Sequence, residues 1–337
     1  MGNRKNAGKI ALASLLGLTG TALAAGSGAL ASYTGHGYRQ TLDEAMEWQK
    51  NHYDVSWYDE LETEVYTVNS YDGYVLHAQI CKNPVPTDRY VILTHGYTDN
   101  RFGMLKYMKM YLDRGYHCVI YDIRGHGENE KAVCTYSIRE GKDLYEMIRD
   151  TRNRYPDLKV LGLHGESLGA ASTASVMGYG MWARSDGLGD TLPVDFAVAD
   201  CGFADIENVL EGAMQHMIDK KTGGGTDAGK ISPLTKALVK CSSAAFRIRY
   251  GYSYGQMKPI THLADNQVPM LFIHGLEDTF ITPDNSRRMS KATAGYSEYR
   301  LIPGAGHAES AIRQPELYRE YLYGFLDHVS ERAGCEV

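Results

Sequence analysis

The sequence predicts an α/β fold: a mostly parallel, eight-stranded, doubly wound sheet with a helical cap inserted after the sixth strand. Three observations carry this. Five short runs, RYVILTH (89–95), YHCVIYD (116–122), KVLGLHG (159–165), VDFAVAD (194–200) and PMLFIHG (269–275), are β-branched and apolar almost throughout. Strands buried on both faces of a parallel sheet have this composition. Helical patterns lie between them, and alternation of strands with helices gives a doubly wound sheet. About 68 residues separate Asp200 from Pro269, far more than an ordinary connection needs.

In chain order, TLDEAMEWQKNHY (41–53) reads as a short helix, with Thr41 and Glu44 at capping-box spacing. TEVYTVNS (63–70) and YVLHAQIC (74–81) alternate, and Asp72-Gly73 between them signals an antiparallel hairpin. Helices are expected over 102–115, ending at a glycine, over 137–155, ending before Pro156, and over 171–182 and 315–333. YRLIP (299–303) is the last strand. The long connection holds two helical patterns, 204–221 and 233–252, broken by TGGGTDAGK (222–230). Long insertions in such sheets tend to sit at the functional edge. The triple glycine 223–225 lacks the lysine and Ser/Thr of a phosphate loop and reads as a joint. The expected organisation is a targeting segment (1–31), a lead with a short helix (32–60), core (61–203), cap (204–264) and core (265–337).

Arg4, Lys5 and Lys9 precede an uncharged stretch, 10–35, rich in small residues. This is the pattern of a secretory signal, with cleavage sites at Ala22-Leu23-Ala24 and Ala29-Leu30-Ala31. The expected location is therefore extracytoplasmic in a bacterium. Residues 10–31 are long enough for a membrane anchor, though Gly, Ser and Thr make them a weak span. Removing 1–31 takes away three cations and no acid, moving the net charge from −6 to −9. That balance offers nucleic acid no electrostatic footprint. None of the six cysteines forms a C-x-x-C pair, so zinc or thioredoxin chemistry is unsupported. Cys81 and Cys118 read as small buried hydrophobes.

Ligands of an open parallel sheet bind beyond the carboxyl ends of its strands. There the sequence collects His95-Gly96-Tyr97, Arg124-Gly125-His126, Gly165-Glu166-Ser167-Leu168-Gly169, Glu277-Asp278 and Gly304-Ala305-Gly306-His307. Gly-x-Ser-x-Gly between a strand and a helix is the pattern of a sharp turn that exposes its serine, and Ser167, Asp278, His307 follow in the order such a turn requires. A serine hydroxyl needs a base to take its proton, and the base needs an orienting group. His307 is the candidate base and Asp278 the candidate acid. The N–H groups of Tyr97 and Leu168 are the candidate oxyanion donors. Glu277 and Asp200 are the rival acids. His95, His126, His164 and His274 read as backbone braces, Glu166 as scaffold, and Asp122 with Arg124 as fasteners of the turn after the fourth strand.

The ordered set HGYTDN, DIRGHG, HGESLGA, HGLEDTFITP and PGAGH resembles the α/β-hydrolase superfamily, and more narrowly its bacterial branch of serine-aminopeptidase-like hydrolases and esterases, several of them exported. The resemblance covers about residues 61–335. It implies Ser167 as nucleophile, Asp278 as acid, His307 as base, Tyr97 and Leu168 as oxyanion donors, and no metal or organic cofactor. The cap departs from the pattern, so the substrate stays open. A carboxylic ester comes first and a peptide or amide bond second. Acyl transfer to another acceptor, or a silent binding protein on a hydrolase scaffold, comes after. A peptidase would need an acid for the substrate's ammonium, and Asp205, Glu207 and Glu211 are the candidates. Tyr250, Tyr252 and Tyr254 line either an acyl site or the cap surface.

Overall fold

A computed structural model describes residues 25–185, 187, 192–222 and 230–333. They form two compact units. The larger comprises the described residues within 38–206 and 257–333, the smaller those within 25–37 and 207–256.

The larger unit is built on one sheet of eight strands: β1 (Thr63–Asn69), β2 (Val75–Cys81), β3 (Arg89–Thr94), β4 (His117–Tyr121), β5 (Val160–Glu166), β6 (Phe196–Asp200), β7 (Met270–Gly275) and β8 (Ser297–Ile302). Their order is β1-β2-β4-β3-β5-β6-β7-β8. β2 runs antiparallel to β1 and β4, and all other neighbours are parallel. Gly73 turns the β1–β2 hairpin at φ +80°, a conformation glycine adopts without steric cost. β6 and β7 are buried at every residue. β8 is a half-buried edge strand, so its polar first residues, Ser297 and Glu298, carried no apolar signal.

Helices cover both faces of the sheet. On one, α3 (Leu105–Leu112) and α11 (Pro315–Ala333) pack Met108, Tyr111, Tyr318, Leu322 and Phe325 against Val91, Leu93, Ile120, Val198 and Ile273. On the other, α5 (Leu168–Val176) lies on β5 and β6 and packs on α4 (Ile138–Arg154). α5 is buried along its whole length, which explains its small residues. The chain also forms α2 (Leu42–His52), with the expected Thr41–Glu44 capping box, α6 (Gly180–Ser185), α9 (Asp284–Ala292) and α10 (Ser310–Arg313). α9 escaped the sequence reading because it buries only Asn285, Ser286 and Met289. The five described cysteines are free thiols. Cys81 and Cys118 stand opposite one another across β2 and β4, fully buried.

The larger unit extends past the expected limits of the core. Residues 38–41 join it because Gln40 N–H donates to Thr98 O (2.9 Å) and Asn100 Nδ2 to Thr41 O (3.0 Å). Both ends of the insertion stay with it too. Ile206 N–H donates to Met257 O (3.2 Å), Ile260 N–H to Ala204 O (3.4 Å) and Ala204 N–H to Asn285 Oδ1 (3.1 Å).

The smaller unit contains a helix through 25–36, here α1, with α7 (Ile206–Thr222) and α8 (Pro233–Tyr250). Ser232 caps α8 by accepting from Thr235 N–H, Pro233 occupies its first position, and Gly251 closes it at φ +84°. Gln215 on α7 accepts from Ser232 N–H (3.0 Å) and the Thr235 hydroxyl (2.7 Å). α1 is an integral part of this unit. Ser27, Ala31 and Thr34 are buried, Thr34 shares a 2.7 Å hydrogen bond with the Tyr254 hydroxyl, and Arg249 donates to Ser32 Oγ (3.1 Å). Residues 25–31 of the signal-like stretch therefore lie in a packed helix; the apolar run before them and the triple glycine 223–225 lie outside the described residues. No helix among the described residues is long and apolar enough to cross a membrane.

Candidate active site

β5 ends at Glu166 and α5 begins at Leu168, which leaves Ser167 alone to make the turn. Its backbone sits at φ 53°, ψ −108°, a sparsely populated region that costs about 1–3 kcal/mol. Neighbouring backbone holds it there: Ser167 N–H donates to Asp200 O (2.8 Å) and Ser167 O accepts from Ala171 N–H (3.0 Å). The two glycines are required by space. A Cβ on Gly165 would lie 2.2 Å from the Gly169 backbone, and one on Gly169 would lie 2.0 Å from Thr94 O. Gly96 passes close by, since a Cβ there would be 3.6 Å from Ser167 Cβ. Tyr97 follows Gly96 directly, and Leu168 is the first residue of α5. The two expected oxyanion donors thus belong to the residues that directly follow Gly96 and Ser167.

Asp278 stands in the turn after β7 and His307 in the turn after β8. Leu276 N–H donates to Ile302 O (2.9 Å) and Glu277 N–H to Ala305 O (3.0 Å), which binds the turns together. Gly275 permits this approach, because a Cβ on it would be 2.4 Å from Ala305 O. His307 Nε2 is 3.0 Å from Ser167 Oγ, and its Nδ1 is 2.7 Å from Asp278 Oδ2. The other oxygen, Asp278 Oδ1, accepts from Phe280 N–H and Ile281 N–H, each at 2.9 Å. Burial pushes this carboxyl up, but the hydrogen bonds from His274 and His307 outweigh it and bring the group down to about 2. Phe280, half exposed, sets its ring edge against His307 at 5.1 Å.

The rival histidines have other partners. His95 Nδ1 lies 2.7 Å from Gly96 O, and its Nε2 accepts from Ile123 N–H (2.8 Å). His126 spans Arg124 O (2.9 Å) and Tyr97 O (2.5 Å), and burial followed by the charge of Arg39 lowers it to about 3. Between them these two rings clamp the Gly96–Tyr97 turn. The Tyr97 ring stacks on Tyr136 and carries the Arg39 guanidinium at 4.0 Å. His164 lies between the Tyr111 and Tyr318 hydroxyls. Asp122 accepts from Arg101 and from Glu128 N–H, and Arg124 pairs with Asp143 and Asp72. His95 and His126 brace backbone as expected, whereas His164 differs in bonding two tyrosine hydroxyls instead of backbone.

Asp200 serves a different cluster from His307. The Tyr107 hydroxyl reaches both Asp200 Oδ2 (2.9 Å) and Glu166 Oε2 (2.6 Å), Ser310 reaches Asp200 Oδ1 (3.3 Å), and Lys106 pairs with Glu166. Burial first, then the Glu166 charge, raises the Asp200 carboxyl to about 6. Burial also raises Asp99 to about 6, with Lys106 opposing. Of the other acids, Asp205 pairs with Lys258 (3.1 Å). Tyr254 is buried within the smaller unit. The sequence reading missed two functional neighbours. Lys106 was hidden in an apolar helical run, where nothing marks a lysine as buried. His274 reads from the sequence as a brace alone, although it stands in the same H-G-x-x-D pattern that marks Asp278.

The fold and topology are those of the α/β hydrolases. The family model described as serine aminopeptidase, S33, matches residues 85–185, which include Ser167 but neither Asp278 nor His307. An uncharacterized protein of Bacillus subtilis (strain 168), YqkD, is 26% identical over 274 residues, 81% of this chain and 82% of that one. Among solved structures, the chain is similar to the Pyrococcus furiosus esterase Pf2001, with a TM-score of 0.58 at 19% identity over 80% of this chain and 93% of that one. It is also similar to the Pyrococcus horikoshii acylaminoacyl peptidase, with a TM-score of 0.52 at 15% identity over 78% of this chain and 41% of that one. The structural likenesses show the α/β-hydrolase fold.

Proposed function

We propose that the protein is a serine hydrolase that cleaves a carboxylic ester through an acyl-enzyme. One observation carries the reading: the unbroken chain Ser167 Oγ, His307 Nε2 (3.0 Å), His307 Nδ1, Asp278 Oδ2 (2.7 Å). His307 takes the Ser167 proton as Oγ bonds to the acyl carbon and the carbonyl electrons move onto oxygen. Asp278 holds the ring and stabilises the imidazolium. The N–H groups of Tyr97 and Leu168 hold the oxyanion. Its collapse expels the alcohol, which leaves with the proton from His307. Water then adds to the acyl carbon and gives its proton to His307. Release of the carboxylic acid breaks the bond to Oγ and returns the proton to Ser167.

The test is hydrolysis of a short-chain p-nitrophenyl ester and labelling by a fluorophosphonate. Ser167→Ala is expected to lower kcat by about 10⁴-fold or more and to abolish labelling. Equal turnover in both proteins would sink the assignment. The second reading, cleavage of a peptide or amide bond, is favoured by the serine aminopeptidase match over 85–185. Against it, Asp205 is already neutralised by Lys258. Turnover of amino-acid amides without turnover of esters would reverse the order.

The reading includes export by the basic, uncharged-run N-terminus. Cleavage after Ala24 would keep all of the described helix 25–36, whereas cleavage after Ala31 would remove the buried Ser27 and Ala31 from it. The mature N-terminus is therefore expected at residue 25 or earlier, as read by mass spectrometry of the protein recovered from the envelope or medium. A mature chain starting at residue 32 would overturn this.

A further inference from the structure

We infer that His274 is a positioning residue for the reaction, holding the Asp278 carboxylate in the setting that His307 uses; this rests on the reading of Ser167, His307 and Asp278 given above. His274 is fully buried at the end of β7, four residues before Asp278. Its Nδ1 lies 2.7 Å from the Ser286 hydroxyl on α9. Its Nε2 lies 2.6 Å from Ile281 O and 3.2 Å from Asp278 Oδ2. A backbone carbonyl only accepts, so Nε2 carries the proton and shares it between Ile281 O and Asp278 Oδ2, while Ser286 O–H donates to Nδ1. The Ile281 carbonyl thus sets the tautomer that points an N–H at the carboxylate, and the Ser286 hydroxyl complements it by donating to Nδ1.

Asp278 Oδ2 is the same oxygen that accepts from His307. With Phe280 N–H and Ile281 N–H on Oδ1, four donors occupy the roughly four lone-pair sites of an ionised carboxylate. None is left for an alternative rotamer, so the carboxylate is fixed in plane and direction. The bond to Ile281 O adds a second hold, because Ile281 N–H is itself one of the four donors. His274 also sets the strength of the acid. A second donor on Oδ2 draws charge away from the oxygen facing His307, which tempers its pull on the imidazolium. The other titratable groups facing this pair are Asp200 and Cys201 at the end of β6. Asp200 interacts with His274, and the Asp278 charge adds to the burial that holds the Cys201 thiol up.

Removing the donor makes Asp278 more basic and raises the affinity of His307 for its proton, so the acid limb of kcat/KM moves to higher pH. His274→Phe keeps the volume and loses both nitrogens. It is expected to lower kcat about 10–100-fold, leave KM within about threefold, and move the acid limb up by about 0.5–1 pH unit. His274→Gln returns an amide N–H to the Nε2 position and is expected to restore the limb. Ser286→Ala keeps the ring and frees its orientation, giving a smaller shift in the same direction; it decides the matter if the Phe variant does not fold. A lowered melting temperature with the acid limb unmoved in the folded His274 and Ser286 variants would reduce His274 to a brace and overturn the inference. Failure of the underlying reading looks different: the fluorophosphonate would not label Ser167 in the wild type, and Ser167→Ala would stay active.

Discussion

Strands β6 and β7 lie side by side, and an aspartate stands at the end of one and just past the end of the other. Asp200 is within reach of two hydroxyls and the like charge of Glu166, and its carboxyl rises to about 6. Asp278 receives two backbone N–H groups and two imidazoles, and falls to about 2. Both are buried, so burial alone cannot separate them. The donors do. Hydroxyls supply one weak bond each, whereas amide and imidazole N–H groups converge on an ionised carboxylate and can outweigh its desolvation. Asp278 is therefore built to stay charged beside a base. Asp200 is built to share a crowded acidic cluster with Glu166 beneath the serine turn.

The largest effect that could break this contrast is on kcat. Asp278→Asn is expected to lower kcat by about 10⁴-fold, the scale of losing the orienting acid of a triad. Asp200→Asn is expected to leave kcat within about tenfold, since Asp200 has no bond to His307. Equal losses in ester hydrolysis assays would make Asp200 the working acid. A smaller effect sharpens the contrast through stability. A folded pKa of about 6 for Asp200 lies above the unfolded carboxylate value near 4, so the folded state holds the proton more tightly. The stability Asp200 contributes is full below about pH 4 and declines as pH rises to about 6. Asp278 has the opposite sign: its contribution is present above about pH 4 and is lost as pH falls through about 2. Urea unfolding between pH 2 and 7 should show Asp200→Asn flattening the upper window, apart from the part due to Asp99. Asp278→Asn should flatten the lower one. Wild-type and Asp200→Asn curves that run parallel between pH 4 and 6 would refute the assignment for Asp200.

The parts of the site that could be read beforehand were those with local signatures. The glycines flanking Ser167 are demanded by contacts within one turn and with the adjoining strand, so they appear as a spacing. The apolar strands and the Asp72-Gly73 hairpin follow from burial on two faces and from a turn that needs φ > 0. α9 and the polar start of β8 were not readable, because an element that buries one hydrophobic residue leaves no periodicity. The helix through 25–36 read as the tail of a targeting segment, because small apolar residues suit an export signal and a tightly packed helix equally.

By itself the sequence determined the class of sheet and the order of the strand-end turns, and it put forward Ser167, His307 and Asp278 as candidates with Asp200 and Glu277 as rival acids. Those follow from the nearest neighbours along the chain and from a pattern of burial. Tertiary structure alone decided which of two buried aspartates faces His307, that His274 shares the oxygen His307 uses, and that Lys106 pairs with Glu166 behind the serine. Each of these depends on atoms from elements or turns far apart in the chain meeting within hydrogen-bonding distance, and no spacing along one chain segment encodes that convergence.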